Sequence, residues 1–403
     1  MSLVRNILWR TLLAPVNVRH CSQTVYQALL GCCRMWQATG DAKWQKRASS
    51  LHDLLQQIQR PDGGFDIGYD FNFGLLHKTG DSTAPELVGL AALCEYAQLF
   101  NDQSGAAAAH RAAEWIRCHA KWVSVDRVAV PYSPHTTNDV MVYNGTSFAC
   151  GALGLYIARF GGDNELRTLY EGMVCYLDSA LSSDNERPGR FWYYNDQTRE
   201  NITSAARHKI DYYHQMQQVE MHAIAERVSP APRQSSIVGD AADHIVSLHR
   251  ESLSVVPYTN SPQHFQGRIH LWGLASVTSG LVEAAYVRED RAAAYREVAR
   301  SNIEWILKHA WAGDYFFPVL TPEGEPVGSR QYMVRSDAWV FNALASAIRE
   351  FPDIDQWNVA ETCYQHMEDV NFSGPESHAS NRRLRMTSAA LRAGKDIAKK
   401  IRV

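Results

Sequence analysis

The 403-residue sequence predicts an all-α protein built as an (α/α)6 toroid, in which six helical hairpins close into an inner and an outer ring. First, a polar or aromatic cluster runs into a helix rich in small residues six times along the chain. Second, each such helix is followed by one with larger residues and more charge. Third, the spacing of about 60 residues exceeds that of common solenoid repeats and fits one hairpin plus a loop. The six helix starts lie at 23–26, 82–86, 143–146, 211–214, 268–272 and 335–339.

The turns inside the hairpins repeat one device. The first inner helix is predicted to end at Gly40, whose freedom to adopt positive φ suits a helix stop, and Asp41 can cap the next helix. The third hairpin has the same arrangement at 161–163, and the second uses Asn101 followed by an aspartate. This recurrence supports the repeat independently of the helix starts.

The outer helices and the loops follow the same plan. The segments 113–116 and 303–306 have similar sequences, and the tryptophan in each is expected to pack between the inner and outer rings of helices. The loops that return to the inner helices are long and aromatic. Long loops are usually functional or disordered, and the aromatic content argues against disorder. Short β-hairpins are expected within them, in a fold that stays almost entirely helical.

Composition sets the limits of the prediction. We expect a single toroid domain over 1–403, with a short N-terminal helix at 1–15 and a basic, amphipathic C-terminal helix at about 381–403. A net charge of -3 and a pI of about 6.6 give no general attraction to nucleic acid or anionic membranes. No apolar run approaches the roughly 20 residues of a membrane span, and no signal peptide is convincing. A cytoplasmic protein is expected, while its oligomeric state stays open.

Eight scattered cysteines form no CxxC pair, which argues against a disulfide framework and a zinc knuckle. Buried free thiols in a reducing compartment are the simplest interpretation. The pair Cys118-His119 lacks a second matching motif, and its position on an outer helix favours a buried thiol. We expect no metal ion and no cofactor.

Six inner helices that begin on one rim would gather distant residues into one concave site. Helix N-termini carry partial positive charge and unpaired N–H groups. Flat aromatic rings beside polar side chains are what sugar recognition requires. The densest cluster is at 208–222, where Asp211 and His214 share a helix face, as do His214 and Gln218. In the alternative interpretation, Asp211 only caps the helix and His214 only satisfies a buried polar contact.

The candidate residues follow from these helix starts and from the aromatic loops. The predicted catalytic residues are Asp211, His214, Tyr143 and His264. The predicted substrate-binding residues are His77, Asp81, Asn144, Arg190, Trp192, Tyr194, Tyr213, Gln218, Arg268, His270, Trp272, Arg335, Asp337 and Trp339. Two structural alternatives remain: an ion pair of Asp337 with Arg268 or Arg335, and a helix cap at Asp81 or Ser82.

Four segments carry a family resemblance. They are Tyr132-Ser133-Pro134, Tyr143-Asn144 before a Gly/Ala-rich helix, the run GRFWYY at 189–194 and the run IDYYH at 210–214. This pattern resembles bacterial surface-polysaccharide biosynthesis toroid proteins, and the architecture is similar to glucuronyl C5-epimerase catalytic domains and unsaturated glucuronyl hydrolases. The resemblance covers roughly 20–370, with its specific motifs within 131–222. The chain departs from it at Gln215-Met216, where the family usually has Thr-Gly, so the substrate stays open.

The resemblance and the residue types imply an enzyme acting on a poly- or oligosaccharide with acidic sugars. Proton abstraction of the lyase or epimerase type is slightly favoured, because the rim has more Tyr, His and Arg than acids. A glycoside hydrolase would pair Asp211 with Asp81, Glu86 or Asp337. A non-catalytic glycan-binding assembly protein is the third possibility. A terpenoid cyclase is disfavoured because the sequence has no DDxxD or DxDD run. Trp192 and Tyr194 are expected to flank the site and to stack on a sugar.

Overall fold

The computed structural model describes residues 22–68, 71–72, 76–77, 80–133, 141–184, 186–198, 207–251, 255–260, 267–327 and 333–372. In these residues twelve α-helices pair into six hairpins. The helices are α1 (Ser22–Thr39), α2 (Ala42–Ile58), α3 (Val88–Phe100), α4 (Ala106–His119), α5 (Tyr143–Phe160), α6 (Asn164–Ala180), α7 (Tyr212–Val228), α8 (Gln234–Glu251), α9 (Leu271–Val287), α10 (Ala292–His309), α11 (Val334–Ala347) and α12 (Trp357–Met367). A 3-10 turn, Ala84–Leu87, precedes α3, and a π-helical turn, Glu368–Phe372, follows α12.

The odd-numbered helices form the inner ring. Each packs against the next one, and α11 packs against α1, which closes the ring. Inner helices such as α9 are buried on almost every face. The even-numbered helices are amphipathic: α2 buries Trp44, Ala48, Leu51 and Leu55, which recur at helical spacing on one face. The predicted (α/α)6 toroid is therefore confirmed.

The predicted hairpin turns are confirmed as well. The side chain of Asp41 accepts a hydrogen bond from the backbone N–H of Lys43 at 2.9 Å. Asp163 caps α6 in the same way, through the N–H of Leu166 at 2.9 Å. Asn101 ends α3 in the left-handed conformation, at φ 50°. These local contacts satisfy helix-end groups that would otherwise lack partners.

Within the described loops there are four small antiparallel pairs of strands, as expected. They are β1 (Phe71–Asn72) with β2 (Leu76–His77), β3 (Lys121–Trp122) with β4 (Val128–Ala129), β5 (Ser182–Ser183) with β6 (Arg190–Phe191), and β7 (Ile269–His270) with β8 (Val319–Leu320). In the last pair Ile269 faces Leu320, so the residues before α9 are tied to the loop that follows α10. This pairing fixes the start of α9 at the rim.

The prediction of buried thiols holds for five cysteines, while Cys175 is half-buried and Cys21 lies outside the described residues. Cys32, Cys33, Cys94, Cys150 and Cys363 are buried free thiols. Cys118 is exposed, and its predicted burial was wrong because it lies on the solvent face of the outer helix α4. None of the described helices combines the length and the apolar character that a membrane crossing requires.

The close packing of the inner ring gives a first prediction. A Cβ at Gly280 in α9 would lie 2.5 Å from the carbonyl oxygen of Met216 in α7. We expect Gly280→Ala to lower the free energy of unfolding by about 1–3 kcal/mol, because the two helices must separate. Gly145→Ala is the matched control, since its Cβ would meet no atom closer than the Cβ of Ala84 at 3.3 Å. Urea unfolding of both variants measures the difference, and equal stabilities would contradict the prediction.

Candidate functional site at the rim

Asp211 is the central residue of the site. It is the residue before α7, and its Oδ1 accepts a hydrogen bond from the backbone N–H of His214 at 3.0 Å. Its Oδ2 lies 2.7 Å from His214 Nδ1 and 3.7 Å from Lys209 Nζ. Burial by itself raises the pKa of Asp211, but His214 and Lys209 outweigh it and hold the pKa below its ordinary value. Asp211 is thus an ionised helix cap that also faces an imidazole.

His214 lies in the first turn of α7 and keeps 20% of its side chain exposed. Its ring meets Tyr194 edge to face at 5.5 Å and Trp272 at 5.4 Å. The carboxylate of Asp211 lies beside Nδ1, although the two are not aligned as a hydrogen bond, and it favours the tautomer that carries the proton on that nitrogen. Nε2 is then the atom that can take a proton from a bound molecule.

Aromatic rings surround this pair. Trp272 lies 6.3 Å from Tyr258 and 6.4 Å from Trp339, measured between ring centroids. Lys209 Nζ lies over the ring of Tyr194 at 4.4 Å. Lys209 and Tyr258 were not among the predicted site residues. The sequence contained a signal for each of them. Lys209 is a cation two positions before the capping residue Asp211, and Tyr258 lies in an aromatic loop.

His270 adds a second imidazole. It is the residue before α9, and its ring lies 5.0 Å from that of Tyr258. Burial, together with the charges of Arg268 and Arg335, lowers the pKa of His270 to about 4 against the opposing effect of Asp211. His270 is therefore neutral at neutral pH, and two guanidinium groups approach the same part of the rim. Arg268 is exposed and Arg335 half-buried.

Glu86 is a buried acid on the neighbouring part of the rim, in the 3-10 turn before α3. Its carboxyl accepts hydrogen bonds from Gln23 Nε2 at 2.6 Å and from the hydroxyl of Ser22. Burial raises the pKa of Glu86 to about 7, although these bonds and the charge of Arg335 act in the opposite direction. The rim thus holds an ionised carboxylate, Asp211, and, in Glu86, a carboxyl that binds its proton near neutral pH.

Two predicted loop residues lie away from this cluster. Trp192 is 1% exposed, and its Nε1 donates to the carbonyl of Leu177 at 2.9 Å. Arg190 pairs with Asp178 at 3.1 Å and with Asp240 at 2.6 Å, both on outer helices. The structure therefore does not give Trp192 the exposed ring face that stacking on a sugar requires, because its ring fills the space between the two rings of helices.

Two predicted tyrosines are also buried. The ring of Tyr143 lies 5.5 Å from that of Tyr176 in α6, and burial raises its pKa. The hydroxyl of Tyr213 donates to the carbonyl of Val256 at 3.1 Å, and the side chain has no exposed surface. The ring of Tyr143 packs toward the outer layer. The ring of Tyr213 contacts Tyr258 at 5.3 Å and Trp272 at 6.3 Å, so it supports the aromatic rings around His214 without an exposed surface of its own.

The remaining predicted residues are dispersed. Asn144 is buried, and Gln218 accepts a hydrogen bond from Ser147 Oγ at 2.8 Å. Asp337 is buried, accepts a hydrogen bond from the N–H of Phe316 at 3.1 Å, and has a pKa that burial raises. Its carboxyl thus anchors the loop after α10.

Asp81 is half-buried just before the 3-10 turn. The side chain of His77 and all of His264 lie outside the described residues, as do the predicted terminal helices. The structure does bring one cluster of side chains together, which we call the rim site. It consists of Tyr194, Lys209, Asp211, His214, Tyr258, Arg268, His270, Trp272, Arg335 and Trp339. In the described part of the chain, no group of three or more His, Cys, Asp or Glu side chains is arranged to hold a metal ion.

Comparison with known proteins identifies the fold. No family model and no curated protein sequence matches this chain. A sugar epimerase from a ruminal bacterium is similar in structure, with 11% identity, a TM-score of 0.59 and coverage of 87% of this chain and 100% of that one. Cellobiose 2-epimerase from Spirochaeta thermophila is 12% identical, with a TM-score of 0.58 and coverage of 82% of this chain and 87% of that one. An α-1,6-mannanase from a Salegentibacter species, in an inactive variant bound to α-1,6-mannotriose, is 13% identical. Its TM-score is 0.60, and the match covers 86% of this chain and 98% of that one. At such low identity these similarities show a shared α/α-toroid fold.

Proposed function

We propose that this chain is a carbohydrate-active enzyme that removes a proton from a sugar carbon next to a carbonyl or carboxylate group, as an epimerase or a lyase does. The observation that carries the proposal is the pair of His214 and Asp211, whose facing atoms lie 2.7 Å apart at the mouth of an inner helix. A carboxylate that orients an imidazole and stabilises its protonated form is a general-base arrangement. His214 Nε2 is the base that takes the proton.

The rings beside His214 support a sugar as the substrate. Trp272 and Tyr258 are half-buried, as is Tyr194, so each combines fixed packing with some exposed surface. The apolar face of a sugar ring stacks on such surfaces, while the neighbouring polar groups bind its hydroxyls. Similarity in fold to sugar epimerases supports the same class of substrate.

The cations of the rim site support an acidic sugar. Lys209, Arg268 and Arg335 approach the site from three helix starts. Positive charge fixed near a carboxylate, or near the enolate that forms when its neighbouring carbon loses a proton, stabilises the transition state. We therefore favour a uronate-containing oligosaccharide, and the motif resemblance supports bacterial surface-polysaccharide biosynthesis as its setting.

One observation favours a glycoside hydrolase as the second candidate. Asp211 is ionised while Glu86 holds a proton near neutral pH, and two carboxyl groups in opposite states are what glycoside hydrolysis uses. The similarity in fold to an α-mannanase points the same way. Against this candidate, the side chain of Glu86 has no exposed surface from which to reach a glycosidic oxygen.

Solvent deuterium distinguishes the candidates. The full chain is incubated in D2O with uronate-containing oligosaccharides and with neutral manno- and cello-oligosaccharides, and the products are followed by NMR and mass spectrometry. For an epimerase we expect the acidic substrates to gain deuterium on a sugar carbon with a changed configuration. For a lyase we expect cleavage with a new ultraviolet absorbance from the unsaturated product and no deuterium on its alkene carbon. Cleavage with neither deuterium on carbon nor a new absorbance would overturn the proposal in favour of the hydrolase. No change in any sugar would overturn it in favour of a binding protein.

A further inference from the structure

A second cavity, of about 280 Å3, lies at the end of the ring opposite the rim site. Its lining comes from the second halves of inner helices, whereas the rim site is built from their first turns. The lining includes Arg34 and Gln37 of α1, Glu95 of α3, Arg227 of α7, and Glu283 and Tyr286 of α9. Its volume is just below the roughly 300 Å3 at which pockets for drug-sized ligands begin, which suits one small molecule.

The charges around this cavity are balanced. Arg34 pairs with Glu220 at 2.9 Å and with Glu283 at 3.5 Å, while Asn342 accepts a hydrogen bond from it at 2.7 Å. Arg227 pairs with the second oxygen of Glu283 at 2.5 Å. These pairs fix donors and acceptors side by side on the wall. A ligand whose groups both donate and accept, such as a polyhydroxylated one, matches this wall better than a simple anion or cation does.

Glu95 lies beside this network but takes no part in its hydrogen bonds. It lines the cavity, yet no hydrogen bond from the described residues reaches its carboxyl, and burial raises its pKa. Its carboxyl is half-buried and faces the charges of Arg34 and Arg227, so it can accept a hydrogen bond from a ligand in the cavity. A ligand hydroxyl within the cavity would do so.

One side of the cavity mouth is aromatic. Tyr286 keeps 37% of its surface exposed, and the guanidinium of Arg227 lies over its ring at 5.1 Å. An aromatic ring beside paired Arg and Glu side chains offers an apolar surface and hydroxyl-binding groups together, and a sugar ring presents the matching combination.

The cavity is separate from the rim site. Between them the interior of the ring narrows to a gap of about 10 Å3, lined by residues that include Gln27, Phe148, Gln217 and Trp339. A space of that size holds at most one water molecule. A molecule bound at one end therefore cannot pass through the ring to the other.

We propose that this cavity, called the rear site below, binds one neutral sugar unit or a polyol of similar size, with Glu95 and Arg227 binding its hydroxyls and Tyr286 contacting its carbon face. The unit is either a free monosaccharide or the end residue of an oligosaccharide. The proposal concerns binding and does not depend on the reaction at the rim site.

Calorimetric titration of the full chain tests the rear site with mannose, glucose, glucuronate, inositol and mannotriose as probes. Two variants alter this site only. Glu95→Leu removes a carboxyl that has no partner, so it should keep or raise the melting temperature, and Arg227→Met leaves Glu283 paired with Arg34. Trp272→Ala alters the rim site and is the matched control. We expect a neutral hexose or inositol to bind the wild-type chain and Trp272→Ala equally, and both rear-site variants at least about tenfold more weakly.

Three results would overturn the proposal: no binding of any neutral probe, binding that Trp272→Ala removes and Glu95→Leu does not, or a lowered melting temperature in Glu95→Leu with unchanged affinity. Mannotriose and mannose separate the two sources of the ligand. Binding of mannose alone indicates a free monosaccharide, and equal affinities indicate that the end residue of an oligosaccharide also fits. Binding of mannotriose alone would contradict a site for one unit. These outcomes are independent of deuterium exchange at the rim site.

Discussion

Replacing His214 with alanine should slow proton exchange at the sugar carbon by about 10²–10⁴-fold, the usual contribution of a general base, and leave the ring folded. The side chain is 20% exposed and is held by contacts with Asp211 and two aromatic rings rather than by a packed apolar core. Its truncation therefore removes a proton acceptor from a site that water can fill. The rate of deuterium incorporation and the thermal unfolding of the same variant measure the two effects.

Two further variants control this experiment. His208→Ala removes an exposed histidine six residues earlier and should leave the rate unchanged. Some loss of stability is expected, because its φ is 58° and its ring contacts Tyr193 at 5.3 Å. Asp211→Asn keeps a side chain that caps helices well but removes the charge that faces the imidazole. We expect it to retain most of the stability and to lose much of the activity. A histidine with a purely structural role would give the opposite result: a lower melting temperature for His214→Ala with exchange unchanged.

The fold was predictable because its signals are local. Asp41 and Asp163 cap helices through contacts two and three residues away, so the sequence around each turn contains all the information needed. The start of α5 at Tyr143 is likewise marked by a change from polar residues to small ones. Closure of the ring, in contrast, rests on the packing of α11 against α1 across almost the whole chain, and was inferred from the number of repeats.

The site was predictable only where the same local rules apply. Asp211 and His214 are three residues apart on one helix, and their contact follows from helix geometry. The direction of a loop side chain depends on distant partners. Trp192 turns inward because its N–H meets the carbonyl of Leu177, and Arg190 turns to the aspartates of two outer helices. No pattern within the loop itself contains that information.

Glu86 gives the largest expected effect on stability. Its pKa rises from 4.5 to about 7 on folding, so the folded state binds the proton more tightly than the unfolded chain does. The stabilising contribution is complete below the unfolded pKa of 4.5 and is lost as the pH rises through 7. The difference of about 2.5 pKa units corresponds to about 3 kcal/mol. Glu86→Gln, which is neutral at every pH, should remove this loss.

Urea unfolding of the wild-type chain and of Glu86→Gln between about pH 4.5 and 8 tests this expectation. Toward pH 8 the free energy of unfolding of the variant should exceed that of the wild type by up to about 3 kcal/mol. Any weakening of the hydrogen bonds to Ser22 or Gln23 would reduce this difference. Glu171→Gln is the control, because that side chain is exposed on the outer helix α6. If the free energies of unfolding of Glu86→Gln and the wild type changed with pH in parallel, folding would not raise the pKa of Glu86, and the expectation would be wrong.

The same variant also bears on the reaction. A hydrolase that uses Glu86 as its acid would lose cleavage, whereas proton transfer by His214 should continue within a few-fold of the wild-type rate.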